Sequence, residues 1–133
     1  MITGIAHVCF TVADLDRAID FYSNKLGAPV AFEFKNDDGV RFGVYIKFGR
    51  RTFLELFKGE VGAKAEKQSF SHICLEVDDI NATVAEWRAR GVAVEDPKMG
   101  CDNSWQAWLA DPDGNRIELH HYMPNSWQTP HLA

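Results

Sequence analysis

The sequence predicts an α+β fold made of two copies of one βαβββ module, and three observations lead there. Residues 5–12 alternate apolar and polar side chains as a half-buried strand does, and residues 71–77 restate that pattern. Each such segment runs into an aspartate suited to cap a helix, Asp14 and Asp79, followed by apolar residues at helical spacing and a closing glycine, Gly27 and Gly91. The copies also align residue by residue: His7 with His72, Cys9 with Cys74, Val12 with Val77, Asp14 with Asp79 and Tyr22 with Trp87, all at an offset of 65.

The elements follow in order. Leu15, Ala18, Ile19, Tyr22 and Leu26 place one apolar stripe on the first helix. Strands are expected near 30–35, 40–48 and 52–57, divided by the turn formers Asn36-Asp37-Asp38-Gly39 and by Gly49-Arg50-Arg51. In the second copy Ile80, Val84 and Trp87 form the helix stripe, and strands are expected near 92–95, 104–110 and 115–122. Asp111-Pro112-Asp113-Gly114 makes the last hairpin. The second helix is one residue shorter, and later loop differences leave Glu55 opposite Glu118 at an offset of 63. Residues 1–58 are thus a first module, 59–69 a polar linker, 70–123 a second module and 124–133 a tail, all within one domain of 133 residues. Neither module alone buries enough surface to stand comfortably, so they are expected to pair with each other or with another subunit, most simply in a homodimer.

Composition narrows the function. The chain is 46% hydrophobic and 25% charged, with 14 Lys+Arg against 19 Asp+Glu and a net charge of −5. No basic face supports a nucleic-acid or anionic-membrane partner, which leaves a small-molecule substrate as the expected partner. No apolar run reaches the ~20 residues that span a bilayer, and the first residues lack the features of a secretory leader. Cys9, Cys74 and Cys101 are odd in number and form no CxxC, which suits a reducing compartment; a cytoplasmic location is expected.

Strand alternation puts His7 with Cys9 and Thr11 on one face, and Val8, Phe10 and Val12 on the other, which should take the helix. The same rule turns Glu55 away from Leu54 and Leu56. It turns His72 and Cys74 away from Ile73 and Leu75, and Glu118, His120 and Tyr122 away from Ile117 and Leu119. A face carrying His7, Glu55, His72 and Glu118 is not a dry core, because uncompensated carboxylates and imidazoles cost several kcal/mol each. Two imidazoles and two carboxylates make a nitrogen/oxygen donor set for a divalent first-row metal.

With these residues in view, the chain resembles the vicinal oxygen chelate superfamily, glyoxalase I among its members. The resemblance rests on the two modules, the starts Ala6-His7-Val8 and Ser71-His72-Ile73, and the end Asp111-Pro112-Asp113-Gly114-Asn115-Arg116-Ile117-Glu118-Leu119. It implies that the modules form an open, U-shaped eight-stranded barrel with a metal on its concave surface. His7, Glu55, His72 and Glu118 occupy the ligand positions, and the His-Glu-His-Glu quartet resembles the glyoxalase I pattern. The implied cofactor is a divalent ion: Ni, Zn, Mn, Co or Fe(II).

The implied chemistry is isomerase or lyase chemistry on a small 2-oxo or 2-hydroxy carbonyl compound or its thiol adduct. A divalent ion holding two neighbouring substrate oxygens stabilises the enediolate left when a proton α to a carbonyl is removed. Glu118 is the expected base, and Glu55 serves the opposite face of the substrate. Two other readings are a metal-free module that sequesters an aromatic ligand or drug, and a dioxygenase or thiol transferase; Glu55, as a fourth protein ligand, argues against the last. Cys9 and Cys74 are read as small residues filling the floor of the site rather than as soft ligands. Trp105, His120 and Tyr122 are the candidate substrate contacts, with a supporting role behind a ligand as the alternative for His120. The tail has no periodicity and is expected to lie over the site or a neighbouring subunit.

Overall fold

The computed structural model describes residues 1–132 and resolves two compact units, Met1–Ala63 and a second from Lys64 onward. The first unit contains β1 (His7–Val12), α1 (Leu15–Ile19), which continues as a π-helical stretch over Asp20–Lys25, and then β2 (Val30–Lys35), β3 (Arg41–Lys47) and β4 (Phe53–Lys58). The second contains β5 (Ile73–Glu76), α2 (Ile80–Ala89), β6 (Lys98–Met99), β7 (Trp105–Ala110) and β8 (Arg116–His121), followed by a 3-10 turn at Thr129–His131. Each unit holds one open four-stranded sheet, ordered β1-β4-β3-β2 and β5-β8-β7-β6. The fold class is therefore α+β, as the patterning predicts. No helix among the described residues is long and apolar enough to cross a membrane.

In both units the first strand lies parallel to the last, while the other pairs are antiparallel. The β1 register pairs Cys9 with Glu55, and the β5 register pairs Cys74 with Glu118, so the internal repeat extends to strand alignment. Helices cover one face of each sheet. Val12, Ala18, Tyr22, Val44, Ile46, Leu54 and Leu56 are fully buried in the first unit, as are Ile80, Ile117 and Leu119 in the second. At about 1.5–3 kcal/mol for each buried aliphatic or aromatic side chain, this apolar face is the main stabilising element. The caps behave as their chemistry dictates: Asp14 accepts from the Arg17 N–H and Asp79 from the Ala82 N–H, both at 3.0 Å.

Two departures from the patterning have physical reasons. The expected strand at 92–95 is absent. Val92 and Val94 are buried and the Glu95 N–H reaches the Trp108 carbonyl at 2.9 Å, but Pro97 has no N–H with which to continue a ladder. The edge strand is instead the two-residue β6 beyond that proline. The other departure lies in the first helix, where the Leu26 N–H bonds to the Phe21 carbonyl five residues back. This wide turn falls between Tyr22 and Gly27, where the first copy carries its extra residue, so the insertion is absorbed without turning Tyr22 off the core.

Candidate functional site

The site is built from the polar face of each sheet. In the first unit, His7 on β1 turns Nε2 toward Glu55 Oε1 on β4 at 3.9 Å. Its other ring nitrogen, Nδ1, lies 3.0 Å from the Tyr45 hydroxyl. Tyr45 faces Glu55 across the β3–β4 ladder, and the two aromatic rings of Tyr45 and His7 meet edge to face. Burial first, and then hydrogen bonding to Glu55, pushes both the Cys9 thiol and the Tyr45 hydroxyl above their ordinary pKa values.

The second unit repeats this arrangement in tighter form. His72 Nε2 lies 2.9 Å from Glu118 Oε2, and His72 Nδ1 lies 2.8 Å from the Ser71 hydroxyl. Trp108 occupies the position opposite Glu118 that Tyr45 occupies opposite Glu55, and packs edge-on against His72 with 4.7 Å between ring centroids. The Arg116 guanidinium sits over the Trp108 ring, 4.4 Å from its centroid. Glu118 is one of the few buried charged residues, at 8% exposure, and its second oxygen, Oε1, is taken by His120 Nε2 at 2.9 Å.

Cys74 Sγ, a Glu118 oxygen and a His120 nitrogen lie within 4.8 Å of one another. Desolvation and the neighbouring Glu118 charge push the Cys74 thiol up to about 12, so at neutral pH it keeps its proton in the absence of a stronger competitor.

The donor set suits a divalent first-row ion. Imidazole nitrogen and carboxylate oxygen are the matching ligand types. Ligand bonds of about 2.1 Å meeting at a right angle separate their donor atoms by about 3 Å, and the His72 and Glu118 donors stand 2.9 Å apart. A hydroxyl on Nδ1 is also what a metal-binding imidazole needs, since it accepts that proton and leaves Nε2 free to coordinate.

The other expected contacts divide. His120 reaches Glu118 directly, and Tyr122 stacks edge-to-face on His120 at 5.7 Å. Trp105 pairs with His121, one residue out of phase with the Gln106–His120 and Trp108–Glu118 pairs, so alternation turns it to the opposite face. Trp108 is the tryptophan beside the pair. Tyr45 sits between buried Val44 and Ile46 as Glu55 sits between Leu54 and Leu56, so alternation alone places it on the polar face. The tail packs on its own unit: Ser126 Oγ donates to the Asn103 carbonyl at 2.7 Å, and Gln128 Nε2 donates to Asp102 Oδ2 at 2.6 Å.

Comparison with known proteins bears on this arrangement. The sequence model of the Glyoxalase/Bleomycin resistance protein/Dioxygenase superfamily matches residues 4–119. The chain belongs to this superfamily. A probable lactoylglutathione lyase of Vibrio cholerae is 31% identical over 121 residues, spanning 86% of this chain and 88% of its own. Among solved structures of the superfamily's fold, a glyoxalase family protein from Enterococcus faecalis superposes with a TM-score of 0.76 at 22% identity, covering 90% of this chain and 98% of that one. TnmS3, an antibiotic binding protein from Streptomyces sp. CB03234, superposes with a TM-score of 0.70 at 30% identity, covering 92% of this chain and 98% of that one. The superfamily thus includes relatives with enzyme names and at least one described as a binding protein.

Proposed function

We propose that this chain is a divalent-metal-dependent isomerase or lyase of the glyoxalase I type. It would move a proton between adjacent carbons of a small 2-oxo or 2-hydroxy carbonyl compound or its thiol adduct. The observation that carries this reading is the doubled dyad: in each unit an imidazole directs Nε2 to a carboxylate while a hydroxyl holds Nδ1. His7, Glu55, His72 and Glu118 are the proposed ligands. When bound, the ion supplies Lewis-acid stabilisation of the negative charge that develops on neighbouring substrate oxygens.

The chain's own groups do the rest. Glu118 is the proposed base: it is nearly shielded from water, which strengthens its interaction with a substrate proton, and its oxygens are oriented by two imidazoles. Glu55, beside the more exposed His7, is the proposed counterpart for the other face of the substrate. Tyr45 and Ser71 keep the two imidazoles turned with Nε2 inward.

Elemental analysis tests the reading. Protein prepared without chelator and supplied with Ni²⁺, Mn²⁺ or Zn²⁺ should hold one ion per His-Glu-His-Glu set, and a protein that holds none would sink it. With metal present, Glu118→Gln should retain most of its folding but lose exchange of the substrate α-proton with solvent.

A second reading, metal-free binding of an aromatic ligand, has its own support. Phe32, Phe34, Phe42, Tyr45 and Phe57 form a chain of ring contacts on the first sheet, and Phe32 and Phe42 remain exposed. Such rings offer a stacking surface for a planar ligand, and the similarity to TnmS3 points the same way. Tight binding of a planar aromatic compound by protein stripped of metal, with no metal uptake on re-addition, would favour this second reading.

A further inference from the structure

The two carboxylates of the doubled dyad are not equivalent, and the difference lies two residues further along their strands. At the offset of 63 that matches Glu55 to Glu118, His120 corresponds to Phe57. Phe57 packs its ring against Phe34 and Phe42, an apolar neighbour that can hold no carboxylate oxygen. His120 places Nε2 at 2.9 Å from Glu118 Oε1, while His72 takes Oε2 at the same distance. His120 is itself held: its side chain is 11% exposed, Tyr122 abuts its ring, and Gln106 lies opposite it in the β7–β8 ladder.

We infer that His120 is a positioning residue that reserves Oε1 of Glu118, so that this carboxylate presents one oxygen, Oε2, to the ion shared with His72. The inference rests on the metal-dependent reading above and deepens it. Its physical content is directional. A carboxylate with one oxygen tied to an N–H donor is fixed in rotation about its last torsion. Glu55 has no second imidazole: a phenyl ring stands where His120 would be, and the other hydrogen-bond partners of Glu55 are the Tyr45 hydroxyl and the Cys9 thiol. Glu118 would therefore meet both an ion and a substrate proton through the same oxygen, Oε2, in one orientation.

Co²⁺ uptake tests this, because its visible absorption reports the ligand arrangement as well as affinity. His120→Phe installs the residue of the first unit, His120→Ala removes the ring without adding bulk, and His120→Gln keeps an N–H donor of similar reach. Two truncations are used so that misfolding of one leaves the comparison intact. The expected result is a loss of Co²⁺ affinity of about 10–100-fold in the Phe and Ala variants, with an altered visible band, and recovery of most of that loss in the Gln variant. Thermal unfolding of the metal-free variants serves as the check on folding.

Wild-type affinity and an unchanged spectrum in the Phe and Ala variants would overturn the positioning role. So would a thiolate-to-cobalt charge-transfer band that disappears in Cys74→Ser together with a His120→Gln variant that loses affinity as fully as the Phe and Ala variants, because the Cys74–Glu118–His120 cluster would then hold the ion itself. A wild-type protein that takes up no Co²⁺ would overturn the metal-dependent reading first and this inference with it.

Discussion

His72 and Glu118 stand 2.9 Å apart, whereas their counterparts His7 and Glu55 stand 3.9 Å apart, although Cys74 pairs with Glu118 as Cys9 pairs with Glu55. The shorter contact is also the drier one, with Glu118 buried and Glu55 part-exposed. The two replacements Glu118→Gln and Glu55→Gln should therefore differ. Loss of charge at Glu118 removes charge-assisted bonds to two imidazoles, each worth about 1.5–3 kcal/mol when partly buried, while Glu55 has one looser imidazole and otherwise the Tyr45 hydroxyl and the weakly donating Cys9 thiol. Urea denaturation of the metal-free variants should show the larger destabilisation for Glu118→Gln, and equal effects would mean the tighter geometry carries no energy.

Tyr45→Phe removes one oxygen and nothing else. The phenyl ring keeps the stacking on Phe32 and the edge contact with His7, while the hydroxyl that bonds His7 Nδ1 and Glu55 is lost. An imidazole without its outer hydrogen bond binds metal less well, so affinity should fall by about 10–100-fold with little change in thermal stability. Isothermal titration with Zn²⁺ into wild type and variant measures it, and unchanged affinity would remove Tyr45 from the site.

Gly43 is required by its neighbours. A methyl group there would come within 2.5 Å of the Phe57 ring and 3.0 Å of the Leu56 carbonyl oxygen. The ring is already packed against Phe34 and Phe42 and the carbonyl is backbone, so neither yields cheaply. Gly43→Ala should cost about 1–3 kcal/mol by urea denaturation, despite the higher strand propensity of alanine.

The tail clamp should respond to acid. Asp102 is held below the usual carboxylate range, chiefly by the hydrogen bond from Gln128, with the Ser104 N–H helping. A depressed folded-state pKa contributes stability that is present above the ordinary value and lost as pH falls through the folded value. Amide exchange at Trp127, whose N–H donates to the Asp102 carbonyl, should accelerate relative to its intrinsic rate as pH falls below the ordinary carboxylate value of 3.8. In Gln128→Ala the acceleration should begin at higher pH. An exchange rate with the same pH profile in both proteins would show that Asp102 does not govern the tail.

Much of this molecule is legible in its sequence because strand alternation and capping are local rules. His7, Glu55, His72 and Glu118 were placed on the polar faces by the apolar residues beside them, and Asp14 and Asp79 marked the helix starts by side-chain chemistry alone. What escaped depends on contacts across strands. Trp108 and Tyr45 acquire meaning only from the register that sets them opposite Glu118 and Glu55. Val92 and Val94 alternate like a strand and are buried like one, yet Pro97 withholds the donor a ladder needs. His120 was placed on the right face by alternation, but the bond to Glu118 is a matter of rotamers.

The parallel pairing of first and last strands has a kinetic consequence. His7 must wait for Glu55 and His72 for Glu118, and in each case the intervening chain has to be made and folded before its ends can meet. Bringing such distant segments together carries a loop-closure entropy that short hairpins avoid, so β2–β3 and β7–β8 should form ahead of β1–β4 and β5–β8. An unfinished chain leaving the ribosome thus exposes histidines without their acids. The His–Glu pair comes into being only as each sheet closes, which makes its appearance a natural marker of completed folding.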